Sequence, residues 1–209
     1  MANLITGIEA ARVRANLERI RGELPEGVEI LAAVKYVPLE ELGTLAEAGI
    51  TIAGENRAQD LEAKAQAHPG FRWHFIGQLQ SRKVKQIVPY AELIHSVASD
   101  SALRQLEKHG TPDTEILVEV NVAGEDEKAG IAPAELGAFI ERSPVKVVGL
   151  MTMPPFADDP EASRPYFTRL KELAGEHGLH HLSMGTSQDY RVAAEEGATI
   201  VRLGTILYA

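Results

Sequence analysis

The chain has 209 residues, 44% of them apolar, and its 30 acidic residues outnumber its 21 lysines and arginines to give a net charge of -9. That length and apolar content suit one or at most two compact domains with a sizeable core. The acidic surplus disfavours a general role on nucleic acid or on an anionic membrane, and the lack of cysteine excludes disulfides, thiolate metal ligands and a cysteine nucleophile.

The start of the chain gives no sign of export. Residues Met1 to Ile5 lack the basic flank and the long apolar core of a signal sequence. No window of the sequence reaches the roughly 20 apolar residues that a membrane span requires. We therefore expect a cytoplasmic protein with no membrane partner.

Helical and extended patterns alternate along the chain. An apolar stripe predicts a helix within residues 4–23, and the apolar run Val28–Val34, which ends on Lys35, is typical of a strand buried on both faces of a parallel sheet. Further strands are predicted at 50–54, 71–76, 93–97, 115–122, 146–151, 181–184 and 199–203. Helices are predicted at 38–48, between 55 and 68, and at 78–88, 100–109, 133–141, 161–177 and 188–196.

Eight such alternations predict an α/β fold, a (β/α)8 barrel of TIM type with an extra N-terminal helix. An open, doubly wound sheet is the alternative. No stretch of the sequence has the composition of a linker, so we expect one domain over residues 1–209.

Candidate site residues, most of them polar, lie at or just after the carboxyl ends of the predicted strands. They are Lys35, Glu55-Asn56, His74, His95, Asn121, Met151, Ser183–Ser187 and Arg202–Thr205. In a (β/α)8 barrel, active sites are assembled on that rim from several loops. Each residue alone could be an ordinary loop residue or a helix cap, but together they favour a site.

Lys35 is the candidate nucleophile. Lysine is rarely buried without a partner, and a desolvated amine loses proton affinity and can form a Schiff base. The alternative is that its side chain simply extends from the strand end into solvent.

The loops after the last two strands predict a phosphate site. Ser183–Ser187 and Arg202–Thr205 are rich in glycine and hydroxyl residues, which let backbone N–H groups approach an anion closely. Barrels often hold phosphate on the loops after strands seven and eight. The alternative is that Gly185 and Gly204 only form tight turns.

A lysine on strand one and a phosphate site on strands seven and eight suit pyridoxal phosphate, whose aldehyde and phosphate lie on opposite sides of its ring. If Arg202 faces the pyridine nitrogen, that nitrogen stays unprotonated, because a second cation there would be repelled. The cofactor would then be a weak electron sink. This arrangement favours racemase-like chemistry or simple cofactor binding over transamination and decarboxylation.

These stretches resemble the YggS/PROSC family of pyridoxal phosphate homeostasis proteins, which are similar to the amino-terminal barrel of bacterial alanine racemase. The matching stretches are Ala33–Lys35, Gly54–Gln59, Trp73–Gln80, Val120-Asn121 with Lys128–Gly130, Gly149–Met151, Ser183–Ser187 and Val201–Thr205. The resemblance implies that Lys35 carries the cofactor as a Schiff base. It implies phosphate contacts from the loop residues Gly185, Thr186, Ser187, Gly204 and Thr205. It also implies that Arg202 faces the ring nitrogen and that Asn56 and Met151 border the ring.

Family members are described as cofactor carriers without established turnover. The resemblance therefore implies a protein that takes up, buffers and releases pyridoxal phosphate, with apo enzymes that use this cofactor, or free amino acids, as partners. An amino-acid racemase is the alternative, but racemisation needs a second base, which alanine racemases draw from a separate carboxyl-terminal domain across a dimer. We expect no such domain here, and a monomer. A third alternative is a barrel enzyme that acts on a phosphorylated metabolite through a Lys35 Schiff base, as aldolases do.

Three positions depart from the family pattern and are expected to alter the shape of the pocket more than its chemistry. They are Tyr36, Ala53 and Thr186. The basic cluster of Arg82, Lys83 and Lys85 is expected to be a solvated helix face rather than an anion or partner site.

The histidines do not predict a metal site. His74 and His95 are expected to be hydrogen-bonded core residues. The adjacent pair His180-His181 should point to opposite sides of a strand, which is unsuited to chelation.

Overall fold

The computed structural model describes residues 4–125 and 129–209. Within them, eight parallel strands form a closed barrel in sequence order, with the last strand paired to the first. The strands are β1 (Glu29–Ala33), β2 (Ile52–Glu55), β3 (Arg72–Phe75), β4 (Leu93–Val97), β5 (Glu115–Glu119), β6 (Lys146–Met151), β7 (His181–Ser183) and β8 (Ile200–Leu203). The predicted (β/α)8 architecture is confirmed, and the open-sheet alternative is wrong.

Helices separate the strands. They are α1 (Ala10–Glu23), α2 (Leu42–Glu47), α3 (Ala58–Ala67), α4 (Val84–Ile87), α5 (Asp100–His109), α6 (Leu136–Glu141), α7 (Arg164–Glu176), α8 (Tyr190–Glu195) and α9 (Thr205–Tyr208). The extra helix α1 packs against α2 and α9. The pattern of the sequence did not predict α9. No helix in the described ranges has both the length and the apolar character needed to cross a membrane.

The core has two parts, one inside the barrel and one between barrel and helices. Inside the barrel pack side chains from alternate strand positions: Leu31, Ile52, Leu93, Leu117, Met151 and Ile200. The larger part lies outside the strands and includes the predicted apolar stripe of α1, whose Val13, Leu17 and Ile20 are buried. Burial on both sides explains why the strands are continuous apolar runs.

Some boundaries differ from the prediction. Helix α1 begins at Ala10, after Gly7, whose positive φ of 69° is incompatible with a right-handed helix. Strand β5 ends at Glu119 instead of residue 122, because the Asn121 N–H turns to the carbonyl of Ile131. Lys35 lies in a turn just past β1. Lys128, one residue of the family resemblance, lies outside the described ranges, as do residues 1–3.

Candidate functional site

The predicted site residues lie on five consecutive strands of the closed barrel, β6, β7, β8, β1 and β2. Met151 ends β6, Gly185, Thr186 and Ser187 follow β7, Arg202 lies in β8 with Gly204 and Thr205 after it, Lys35 follows β1, and Asn56 follows β2. Carboxyl ends of parallel barrel strands share one rim. The structure therefore gathers these residues on one continuous arc of that rim.

Lys35 is held by its main chain while its amine stays available. The side chain is half-buried, and Nζ lies 4.9 Å from the centroid of the Tyr36 ring. Within the described part of the chain, the amine forms no hydrogen bond and no salt bridge. The backbone on either side is fixed, since Val34 N donates to Gly54 O at 2.9 Å and Ile5 N donates to Tyr36 O at 2.8 Å. A positioned amine without a polar partner can act as a nucleophile.

The loops after β7 and β8 touch each other. Gly204 N donates to Ser187 Oγ at 3.3 Å, and Arg202 N donates to Gly185 O at 3.0 Å. Gly185 has a φ of 89°, and a Cβ there would lie 2.6 Å from Ala193 Cβ, so only glycine fits. A Cβ at Gly204 would meet nothing within 4 Å, so the space beside this backbone is open.

Two other residues of these loops differ in what they offer an anion. Thr186 donates from both its N–H and its hydroxyl to Asp189 Oδ1, at 2.8 and 3.1 Å. Its donors are therefore already used inside the loop. Thr205 is exposed and begins α9, whose first N–H groups lack partners within the helix.

Arg202 is buried, with only 7% of its surface exposed. Its guanidinium donates to Ser183 Oγ at 2.5 Å, to Thr152 O at 3.0 Å and towards Met153 Sδ at 2.7 Å. Burial lowers the pKa of Arg202 to about 10, against the opposing charges of Glu119 and Asp189. The guanidinium therefore remains charged at neutral pH. Burial also raises the pKa of Glu119, which the charge of Arg202 partly offsets.

His74 and His95 continue this polar contact into the barrel. His95 Nδ1 lies 2.8 Å from Ser183 Oγ, and His95 Nε2 lies 3.0 Å from His74 Nδ1. Burial lowers the pKa of His74 to about 4 and holds the pKa of His95 well below its ordinary value. Both histidines are neutral, hydrogen-bonded core residues, which confirms the prediction.

Sequence reasoning missed an ion pair behind the loops that follow β1 and β2. Lys64 Nζ on α3 lies 2.6 Å from Glu55 Oε2 at the end of β2, and both side chains are buried. Glu55 was predicted at the carboxyl end of its strand and within the Gly54–Gln59 stretch, but with no partner. No periodicity relates it to Lys64, so the sequence carried no signal for the pair.

Asn56 begins the loop after β2, beside the basic cluster. Its backbone is packed so closely that a Cβ on Gly77 would lie 2.1 Å from Asn56 O. Arg82 and Lys85 are exposed, and Arg82 donates only to Gln80 in the described residues, as a solvated helix face would. Lys83 is half-buried and donates to Gln86 Oε1.

Comparison with known proteins places the chain in a family. The family model of the alanine racemase N-terminal domain matches residues 8–209. A pyridoxal phosphate homeostasis protein of Aquifex aeolicus is 41% identical over 94% of this chain and 92% of that protein, and one of Vibrio cholerae is 35% identical over 90% and 87%.

Solved structures agree with these matches. The structure of PipY of Synechococcus elongatus PCC7942 with PLP bound has a TM-score of 0.83 at 30% identity, and the match covers 94% of this chain and all of that one. An alanine racemase of Clostridium difficile shares the fold, with a TM-score of 0.78 at 15% identity. The predicted resemblance is confirmed: the chain belongs to the alanine racemase N-terminal domain family and, within it, to the pyridoxal phosphate homeostasis proteins.

Proposed function

We propose that the protein binds pyridoxal 5'-phosphate on this arc of the rim, attaches it to Lys35, and carries or buffers it for vitamin B6 homeostasis without catalytic turnover of its own. The observation that carries the proposal is the Lys35 amine, fixed by its main chain yet without a polar partner in the described ranges. The family supports it, since relatives are named pyridoxal phosphate homeostasis proteins and one was solved with PLP bound.

The residues present fit such a ligand. The open space beside Gly204, the contact between the two glycine loops and the N–H groups of Thr205 and Ile206, which have no partner in the described ranges, suit a phosphate. We assign the phosphate to Gly185, Ser187, Gly204 and Thr205. Thr186 would also bind it once its hydrogen bonds to Asp189 are broken. Arg202 would lie at the ring nitrogen, and Asn56 and Met151 would border the ring. When bound, the cofactor supplies an aldehyde that reacts reversibly with an amine.

The contacts of Tyr36, Tyr190 and Tyr208 argue against each of them as the second base of a racemase. Tyr190 OH donates to Glu23, and Tyr208 OH donates to Ala33 O at 3.1 Å. Tyr36 lies beside Lys35 itself, so it does not supply a base on the opposite side of a substrate. Because racemisation needs two opposed bases, we favour a binding protein. Turnover-level exchange of the α-proton of L-alanine in deuterated water would overturn this part of the proposal.

The spectrum of the purified protein tests the proposal most directly. With pyridoxal phosphate, the wild type should show an absorbance band near 420 nm and a covalent adduct that borohydride traps. Lys35→Ala should abolish the band and the adduct but retain weak, reversible binding. Lys85→Ala, at an exposed lysine, is the control and should behave as wild type. A trapped adduct at full yield in Lys35→Ala would show that another residue is the attachment site.

The proposal also includes a monomeric, cytoplasmic protein of one domain that exchanges the cofactor with apo enzymes or with free amino acids. The net charge of -9 supports this location, because an acidic protein is repelled by anionic membrane surfaces. Mixing the loaded protein with an apo enzyme that requires pyridoxal phosphate should restore that enzyme's activity, and an apo enzyme that stays inactive would contradict transfer.

A further inference from the structure

The ion pair of Glu55 and Lys64 is the most deeply buried salt bridge in the described part of the chain. Its side chains are 0% and 9% exposed, and the two charged atoms lie 2.6 Å apart. Removing two such ions from water costs several kcal/mol each, and apolar replacements of a buried pair are often neutral or stabilising. The stability of the barrel therefore gives little reason for the pair.

The other contacts of the pair all go to the main chain of two site loops. Lys64 Nζ donates to Val34 O at 2.7 Å. Glu55 Oε1 accepts from Asn56 N at 2.6 Å and from Arg57 N at 3.3 Å. The carbonyl of Val34 and the N–H of Lys35 belong to one rigid peptide plane. The pair therefore fixes the plane from which the Lys35 side chain departs, and ties it to the loop of Asn56.

Tyr208 supports the same segment from the other side. Its hydroxyl donates to Ala33 O at 3.1 Å, so the two carbonyls before Lys35 are each held by a side chain. Burial raises the pKa of Tyr208, and the charge of Glu55 adds to this rise. Side chains of α3 and α9 thus hold the last two carbonyls before the turn that carries Lys35.

We infer that Glu55 and Lys64 are positioning residues for Lys35, whose ion pair aims the amine at the aldehyde of a ligand held by the phosphate loops. The inference rests on the proposed function. Lys64 is itself excluded as the attachment site, because its ammonium is buried and bound to Glu55 and Val34.

The test uses the double variant Glu55→Gln/Lys64→Met. Glutamine keeps an acceptor for the Asn56 N–H, and methionine fills the space of the lysine stem, so the variant removes the ion pair together with its contact to Val34 O. That carbonyl still accepts from Val37 N at 3.0 Å, which keeps it from being left without a partner. We expect the variant to fold, with attachment of pyridoxal phosphate to Lys35 slowed roughly 10- to 100-fold, as a misplaced reacting group predicts.

Two further measurements separate positioning from a general structural role. Pyridoxine 5'-phosphate has an alcohol in place of the aldehyde, so its affinity should stay within about twofold of wild type if only the lysine is displaced. In cofactor-free protein, amide hydrogen exchange should accelerate at residues 34–37 more than elsewhere. The control Glu115→Gln/Lys146→Met removes a Lys–Glu pair at the amino ends of β5 and β6 and should change none of these readouts.

The outcomes are distinct. If the double variant attached pyridoxal phosphate at the wild-type rate, the inference would be overturned. It would also be overturned if attachment and pyridoxine 5'-phosphate binding fell equally and amide exchange at residues 34–37 stayed at the wild-type rate. If wild-type protein attached no cofactor, the proposed function would fail. Localised faster exchange would then still support a role in fixing the Lys35 backbone, and its absence would overturn that too.

Discussion

Arg202 donates a hydrogen bond to Ser183 Oγ at 2.5 Å and so joins the rim to the buried histidines. A guanidinium has donors only, so the serine oxygen accepts there, and its own hydroxyl proton is free for His95 Nδ1, 2.8 Å away. His95 Nε2 in turn lies 3.0 Å from His74 Nδ1. The series ends at His74 Nε2, a buried atom with no partner in the described ranges.

Ser183→Ala should break this series of hydrogen bonds at its centre. The variant leaves one N–H of a buried cation and one histidine nitrogen without their partner, which should lower the free energy of unfolding by about 1–3 kcal/mol. Urea unfolding at neutral pH measures the change. Ser101→Ala, at an exposed serine, should stay within about 0.5 kcal/mol of wild type. Equal stability of both variants would mean that the series contributes nothing.

The lowered pKa values of the buried histidines predict that the protein loses stability in mild acid. The unfolded state takes up a proton at His74 near its ordinary pKa of 6.5, whereas the folded state does so only near 4. The free energy of unfolding should therefore fall as the pH drops from about 6.5 to about 4, by about 3 kcal/mol from this group. His74→Gln keeps a hydrogen-bonding side chain beside His95. It should remove the uptake of about one proton on unfolding, so the free energy of unfolding should fall less steeply as the pH drops.

Unfolding curves at several pH values check this result. His180→Gln changes an exposed histidine and should keep the wild-type pH dependence. If His74→Gln also kept it, protonation of His74 would not be the cause.

Gly185→Ala should distort the phosphate loop, in addition to the cost of placing alanine at a positive φ. Gly185 and Gly178 both have positive φ, so alanine costs about 1–2 kcal/mol at either position. Only at Gly185 would the new Cβ collide, 2.6 Å from Ala193 Cβ. We expect Gly185→Ala to weaken binding of pyridoxine 5'-phosphate at least about tenfold, a loss of about 1.4 kcal/mol, and Gly178→Ala to leave it unchanged. Calorimetric titration distinguishes the two, and equal binding would remove Gly185 from the site.

The sequence allowed the strands to be predicted because burial on both sides leaves continuous apolar runs. Residues 93–97 and 146–151 were predicted to the residue. In β5 the prediction ran too far, since the alternation of apolar and polar residues continues past the last ladder pair, through Val120 and Asn121 to Val122. Helix α9 has only four residues, too few to show a helical period.

The rim residues could be predicted because every parallel strand ends on the same side of the barrel. Their supporting contacts could not. The Glu55–Lys64 pair depends on how α3 packs over β2, and the contacts of His74, His95 and Ser183 join β3, β4 and β7 across the interior. Both follow from the tilt and register of the closed barrel, which no local pattern encodes.

The pairing of β8 with β1 has a consequence for the order of events during synthesis. The ribosome makes Lys35 well before Arg202 and Tyr208, which complete the arc and hold the backbone before the lysine. A nascent chain therefore has the reactive amine without its surroundings. On the proposed function, vitamin capture must wait until translation has passed these residues and the barrel has closed.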